Sequence, residues 1–586
     1  MTGDSALDRL ADAILIPPFP DTSAPSWLLD ALSGGLAGVT LFASNMAAGP
    51  EALTALTATL RAAAPDLLVA ADEEGGDVTR VWYHTGSPYP GNAALGAVDD
   101  TVLTEEVHAA IGADLAALGV NLDLAPCLDV LAAPCRPTSS GSAPKDRVPT
   151  TGLFGAARTS RHGARSRLTP RAARSAPIAA CTSSVRAVSS TAPRAALPGY
   201  GLPVWYQTRV TSPPSSSAAT SNPVVGTRSF GSAPDLVARH GAAAVRGLQS
   251  AGVAACAKHF PGHGATLLDS HAELAVVPDG LAVVELRDLP PFRAALAAGV
   301  LTVMPGHLRV AGLTGELPAS LSAAAITLLR ASLGFSGVVV SDALEMRAVS
   351  DPYGIPGAAV LAVTAGNDLL CLGRDVPEEG YLAVRAALRD AVRSGSLPGA
   401  RLEEAAARVA ALRARLAGLR AAAGARGPGG HGGAASTAGI GLTAARRALR
   451  VTGARPELRD PIVIEVEPVP NIAAGDARWG LDAWAPAGNS RRVAAAPDPG
   501  QAAAAALKAA AGRSMVLAVR DAHRSPDTRH LVTAVLAERP DTVLVEMGLP
   551  YWQPPAGACQ TYLATYGASR ANATAAAEFL GLAPAG

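Results

Sequence analysis

Eight short apolar runs recur along the first two thirds of the chain, at 13–16, 38–42, 67–72, 121–126, 253–259, 301–307, 337–343 and 367–372. Within them the apolar positions are continuous rather than alternating, which is what a strand buried on both faces requires. Segments with apolar residues three and four apart lie between them and predict helices at 51–63, 102–118, 235–250 and 402–420. Eight strands alternating with helices predict an α/β fold, a (β/α)8 TIM-type barrel. Polar residues close several runs: Asp72, the Lys258-His259 pair, His307 and Asp342. In a parallel barrel such ends converge on the carboxyl face, where catalytic groups are built.

The pattern breaks twice. Residues from about 131 to 221 are crowded with Ser, Thr, Pro, Ala and Arg, contain Asp146 as their single acid, and show no sustained apolar period. They read as a low-complexity insertion in a barrel domain spanning 1–420, expected to be poorly ordered and to supply no catalytic group; a basic lid and an out-of-frame stretch of GC-rich gene are the alternatives. A Gly/Ala-rich stretch at 421–445 reads as a linker. Beyond it strands at 462–467, 515–520 and 542–547 alternate with helices at 502–511, 528–538 and 570–580, predicting a smaller α/β domain over 446–586.

Composition narrows the field by exclusion. The 586 residues carry 49 basic and 49 acidic side chains, so no nucleic-acid or anionic-membrane partner is expected. No segment reaches the roughly 18 uninterrupted apolar residues of a membrane span, and residues 1–10 lack a basic region followed by an apolar core. A cytoplasmic location is expected. Cys127, Cys135, Cys181, Cys256, Cys371 and Cys559 are scattered without paired spacing, so neither a disulfide framework nor a zinc ribbon is indicated.

Candidate chemistry concentrates in Lys258-His259-Phe260-Pro261-Gly262-His263-Gly264, followed by Asp269-Ser270-His271. His259 and His263 stand four apart, as metal ligands on one helix face do, but Pro261 and Gly262 would break that helix. A carboxylate against an imidazole, as Asp269 and His271 could form, fixes a tautomer and suits a general acid/base. Asp342, after 337–341, could cap a helix or serve as a carboxylate nucleophile.

The stretch from Lys258 to Gly264 and the Asp-Ser-His triplet resemble the signature of the glycoside hydrolase family 3 β-N-acetylglucosaminidases. The resemblance covers about 8–130 and 222–420 strongly and the C-terminal part weakly, where it implies a sandwich-type second domain. It implies Asp342 as nucleophile and His271 as acid/base with Asp269 as its partner. It also implies that Asp72, Arg80, Arg228, Lys258, His259 and His307 grip the terminal sugar, without metal or cofactor. The segment Asp72-Glu73-Glu74-Gly75-Gly76-Asp77-Val78-Thr79-Arg80 departs from the common family form, which often has Gln second and Arg sixth. The expected function is exo-acting, retaining removal of β-linked GlcNAc from a small carbohydrate such as a muropeptide or chitin fragment, with oligomeric state left open. A phosphorylase on the same scaffold is the runner-up. A metal-dependent hydrolase using His259, His263, His271 and Asp269, and a non-catalytic relative, are the readings from other classes.

Overall fold

The computed structural model describes residues 3–131, 222, 224–266, 268–425, 434–468 and 480–583. All of the expected insertion except Leu131 therefore lies outside the described residues. Leu131 and Asn222, the residue that follows the insertion, are tied back to the fold: Leu131 N donates to Gly231 O at 3.0 Å, and Asn222 Nδ2 donates to His263 O at 2.8 Å. The described residues form one compact unit.

Each of the eight apolar runs holds a strand: β1 Leu15–Ile16, β2 Gly38–Thr40, β3 Leu68–Ala71, β4 Leu122–Asp123, β5 Ala254–Phe260, β6 Thr302–Pro305, β7 Val338–Val339 and β8 Leu370–Cys371. Every residue in them is buried, as their continuous apolarity demands. Strands β2 to β7 pair in parallel in chain order. A bridge from Val340 to Leu369 carries the ring on to β8, β8 pairs with β1, and Thr40 N donates to Pro17 O at 3.1 Å to reach β2. The helices Pro50–Ala63, Thr101–Ala117, Pro234–Ser250 and Gly399–Ala425 fall where periodicity placed them.

Helix Gly399–Ala425 runs into the stretch expected as a linker, and a further helix, Ala434–Ala448, occupies most of the remainder. After it comes a six-stranded sheet. Its strands are β9 Arg450–Gly453, β10 Ile462–Val466, β11 Ser490–Val493, β12 Met515–Val519, β13 Val543–Glu546 and β14 Thr561–Ala564, in the order β9-β14-β13-β12-β10-β11. All pairs are parallel except β9 with β14. One apolar cluster gathers Ile462, Leu517, Leu531 and Leu544, and a second gathers Val463, Val516, Val545 and Leu580. Alternate residues of one strand enter different clusters, so the sheet is covered on both faces, as a sandwich of helices around a parallel sheet requires.

Candidate active site

The strands of the barrel end in a layer of charge. Asp72 follows β3 directly, and Lys258 and His259 are the fifth and sixth residues of β5. Lys258 Nζ donates to Asp72 Oδ1 at 2.6 Å and lies 2.8 Å from Glu74 Oε1. Arg228, on the 3-10 turn Gly226–Arg228, grips Glu74 through both oxygens, Nε to Oε2 at 2.9 Å and Nη2 to Oε1 at 2.7 Å. Arg80 Nη2 reaches Asp72 Oδ2 at 3.1 Å. Burial alone would raise both carboxyls, but Lys258, Arg80 and Arg228 outweigh it for Asp72, and Arg228 and Lys258 for Glu74; both are held below their usual range. Burial would likewise lower Lys258, and Asp72 and Glu74 reverse it. The array is therefore ionised near neutrality and presents fixed, charge-assisted donors and acceptors.

Glu73 points elsewhere. Its Oε2 accepts from Thr79 Oγ1 at 2.8 Å, Arg80 N at 2.9 Å and Val81 N at 3.1 Å, so it folds the loop that carries Arg80. Burial pushes its carboxyl up to about 7.

His259 is oriented by Asp129, whose Oδ2 accepts its Nδ1–H at 2.7 Å. Asp129 Oδ1 also accepts the backbone N–H of His263 at 2.7 Å, tying the following loop to the end of the β4 segment. The peptide bonds Lys258-His259 and Phe260-Pro261 are cis. Gly264 passes so close to Val130 that a Cβ there would stand 2.0 Å from Val130 O. His263 bonds Thr266 Oγ1 at 2.7 Å and Ser270 Oγ at 3.2 Å, and so supports the approach to His271. Burial lowers the His263 imidazole to about 4, keeping it neutral.

In the Asp269–His271 pair, Asp269 Oδ1 accepts both the Nδ1–H of His271 and its backbone N–H, at 2.7 and 2.9 Å. Burial would raise Asp269, but the His271 hydrogen bonds hold it below its ordinary value. With Nδ1 engaged, Nε2 is the atom of His271 left for proton transfer. Asp342 stands beyond β7, its Oδ1 accepting Ala343 N at 2.9 Å and its Oδ2 without a hydrogen-bond partner among the described residues. Burial opposes its ionisation, and His307, His259 and His271 together hold the carboxyl below its usual range.

One cavity of about 220 Å³ is lined by Asp72, Arg80, Arg228, Lys258, His259, His271 and Asp342, with Tyr83, Phe42 and Met346 also on its walls. Seven of the nine residues expected at the site thus meet at one pocket. Asp269 stands behind His271. His307 does not line the pocket: Nδ1 bonds Ser320 Oγ at 2.6 Å and Nε2 bonds Ala343 O at 2.9 Å, so it steadies the turn carrying Asp342. A larger cavity, about 760 Å³ between Leu301, Phe335, Val338 and Arg408, lies at the amino ends of β6 and β7, away from these groups.

The residues named for a metal do not converge, because His263 is engaged by Thr266 and Ser270 and His271 by Asp269. Cys127, Asp129 and His259 are, among the described residues, the group whose donor atoms lie close together. Their 3.2 and 2.7 Å separations are those of hydrogen bonds, and burial raises the Cys127 thiol well above its ordinary value, so Sγ donates to Asp129. Glu74 and Asp129 escaped the sequence reading. Asp129 did carry a signal, since an acid at the end of the run from Asn121 obeys the same strand-end rule that picked out Asp72 and Asp342.

A parallel barrel that gathers its charged residues around one pocket at the strand carboxyl ends defines a barrel enzyme. Residues 20–154 and 217–412 match the glycosyl hydrolase family 3 N-terminal domain, and the chain belongs to that family. It is 40% identical over 203 residues to the beta-hexosaminidase LpqI of Mycobacterium tuberculosis, covering 33% of this chain and 51% of that protein. A beta-hexosaminidase of Stenotrophomonas maltophilia is 41% identical over 150 residues, covering 25% and 44%. The chain thus spans about half the length of the curated relatives it matches. Among solved structures, a glycoside hydrolase family 3 beta-N-acetylglucosaminidase from Paenibacillus sp. str. FPU-7 superposes with TM-score 0.73 at 27% identity, over 98% of this chain and 97% of that one. No helix among the described residues is long and apolar enough to cross a membrane.

Proposed function

We propose that this chain is an exo-acting, retaining β-N-acetylglucosaminidase. The observation that carries the reading is that Asp342 and His271 line the same pocket as the Asp72–Lys258–Arg228 array, with His271 held by Asp269. In the first step Asp342 Oδ2 attacks the anomeric carbon while protonated His271 gives its Nε2 proton to the departing oxygen, leaving a glycosyl ester on Asp342. In the second, neutral His271 takes a proton from water as the water attacks the same carbon, the ester bond breaks, and the β configuration is restored. Asp72, Arg80, Lys258, Arg228 and His259 Nε2 hold the hydroxyls of the sugar ring. A cavity of about 220 Å³ is below the roughly 300–1,000 Å³ of drug-sized sites, which favours one ring and hence exo action.

The names of the curated relatives, beta-hexosaminidases, support a hexosamine, and that of the Paenibacillus structure supports N-acetylglucosamine as the sugar. Muropeptides and chitin fragments in the cytoplasm are the natural substrates this reading favours, to be tested by fractionation and product analysis. The direct test is release from an aryl β-GlcNAc with NMR detection of the first anomer formed. The reading expects β-GlcNAc, and loss of release with Asp342→Ala; an α product, or undiminished release by that variant, overturns it.

Phosphate is a second candidate acceptor, favoured because a neutral His271 repels an incoming anion less than a carboxylate would. If added phosphate neither raises turnover nor yields GlcNAc-1-phosphate, water is the acceptor.

A further inference from the structure

The loop that carries Asp72, Glu74 and Arg80 is not held by the barrel alone. It turns sharply between Glu74 and Val78, where Glu74 N donates to Val78 O at 3.0 Å, and Asp77 lies at the tip of that turn. The Asp77 side chain is 3% exposed and accepts three hydrogen bonds. Oδ1 takes the backbone N–H of Ala568 at 2.9 Å; Oδ2 takes Thr227 Oγ1 at 2.5 Å and Arg520 Nη2 at 2.7 Å. Thr227 immediately precedes Arg228, the residue that grips Glu74. Ala568 and Arg520 belong to the C-terminal domain, Arg520 immediately following β12. One buried carboxylate therefore joins the Asp72–Arg80 loop, the Arg228 turn and the second domain.

Further contacts run the same way. Ala571 N donates to Ser87 O at 3.3 Å, Arg450 Nη2 donates to Ala97 O at 2.5 Å, and Arg447 pairs with Asp100 at 2.9 Å. Gly441 lies so close that a Cβ there would stand 2.0 Å from Pro88 O. Leu549 packs with Cys127, Leu131 and Val225, beside the Arg228 turn. Apart from Leu549, these contacts pin the span from Ser87 to Asp100 from outside, while the Asp77 junction reaches the residue next to Arg228.

We propose that Arg520 is a positioning residue for the sugar site: through Asp77 and Thr227, the C-terminal domain sets the placement of Arg228 against Glu74 and Lys258. Burial opposes the charge on Arg520, and Asp77, Asp521 and Glu546 outweigh it, so the cation stays in place to hold Asp77. Without Arg520, Asp77 is a buried carboxylate short of its charged partner, and the Thr227 contact is the one free to shift. The kinetic part rests on the reading of the site as a sugar pocket; the structural part does not.

The test uses the full chain with Arg520→Met, Arg520→Lys and Thr227→Val, read by hydrogen exchange and by kinetics on an aryl β-GlcNAc. Arg520→Met is expected to speed exchange at 224–231 and 73–80 while β5 stays protected, and to raise KM about tenfold with kcat little changed. Arg520→Lys should recover part of the effect. Thr227→Val, which leaves the C-terminal domain untouched, should reproduce the rise in KM. Faster exchange confined to the C-terminal sheet, with 224–231 and KM unchanged, overturns the proposal. If the wild-type chain releases no aryl group, the function reading fails, and the exchange at 224–231 still decides this one.

Discussion

Glu73 and Glu74 are neighbours with opposite environments, and replacing each by glutamine separates them. Glu74 accepts two bonds from Arg228 and lies 2.8 Å from Lys258, with its side chain 2% exposed. Removing its charge leaves two buried cations to share Asp72, so Glu74→Gln should cost about 3–5 kcal/mol, the usual toll of breaking a buried ion pair. Among the described residues no cationic side chain bonds Glu73, and its carboxyl is lifted from 4.5 to about 7. Because the folded value lies above the unfolded one, its contribution is fully present below about pH 4.5 and is lost as pH rises through about 7. At about 1.4 kcal/mol per pH unit the loss comes to about 3 kcal/mol. Glutamine keeps an oxygen for Thr79, Arg80 and Val81 without that loss. Glu73→Gln should therefore be near neutral at pH 5 and stabilising at pH 8, whereas Glu74→Gln destabilises at both. Urea unfolding at the two pH values measures this. Equal destabilisation by the two variants, or a Glu73→Gln effect independent of pH, would show that burial does not set the Glu73 titration.

Asp129→Asn should lower kcat/KM about 10- to 100-fold with a native far-UV spectrum, since His259 loses the carboxylate that fixes its tautomer; wild-type kinetics from this variant would remove Asp129 from the site. His263 is lowered from 6.5 to about 4 by burial, so its contribution to stability is present above about pH 6.5 and is lost as pH falls toward about 4, about 3 kcal/mol in all. The difference in unfolding free energy between wild type and His263→Asn should shrink by that order across this window, and a constant difference would show that burial does not set the His263 titration.

The barrel was legible because its signal is local. Strands buried on both faces need continuous apolar residues, and each of the eight runs holds one. Edge strands of the second domain carry no such mark: Arg450–Gly453 is exposed throughout and Ser490–Val493 holds two exposed arginines, so partner strands define them. Helix Arg347–Ala365 was hidden by Pro352, Gly354 and Pro356, and its backbone is kinked at Gly354 with φ 65°. The site shows the same division. Asp72, Lys258, His259 and Asp342 follow the strand-end rule and Asp269 with His271 follows from a carboxylate set two residues from an imidazole, while Arg80 and Arg228 came from the family resemblance. Glu74 meets Arg228 across 154 positions and Asp129 meets His259 across 130, separations no spacing rule spans. His307 shows the limit of the rule, which places a residue at a strand end but does not say which way its side chain points.

In the proposed mechanism Asp342 forms a glycosyl ester which His271 helps water to resolve. In His271→Ala, an aryl β-GlcNAc with a strongly acidic phenol can leave without protonation, while the second step lacks its base and the intermediate should accumulate. Mass spectrometry of the rapidly quenched, digested protein is predicted to find one N-acetylglucosaminyl adduct, on the peptide carrying Asp342. Phenol release with no adduct there, or an adduct on another side chain, would rule out Asp342 as the nucleophile.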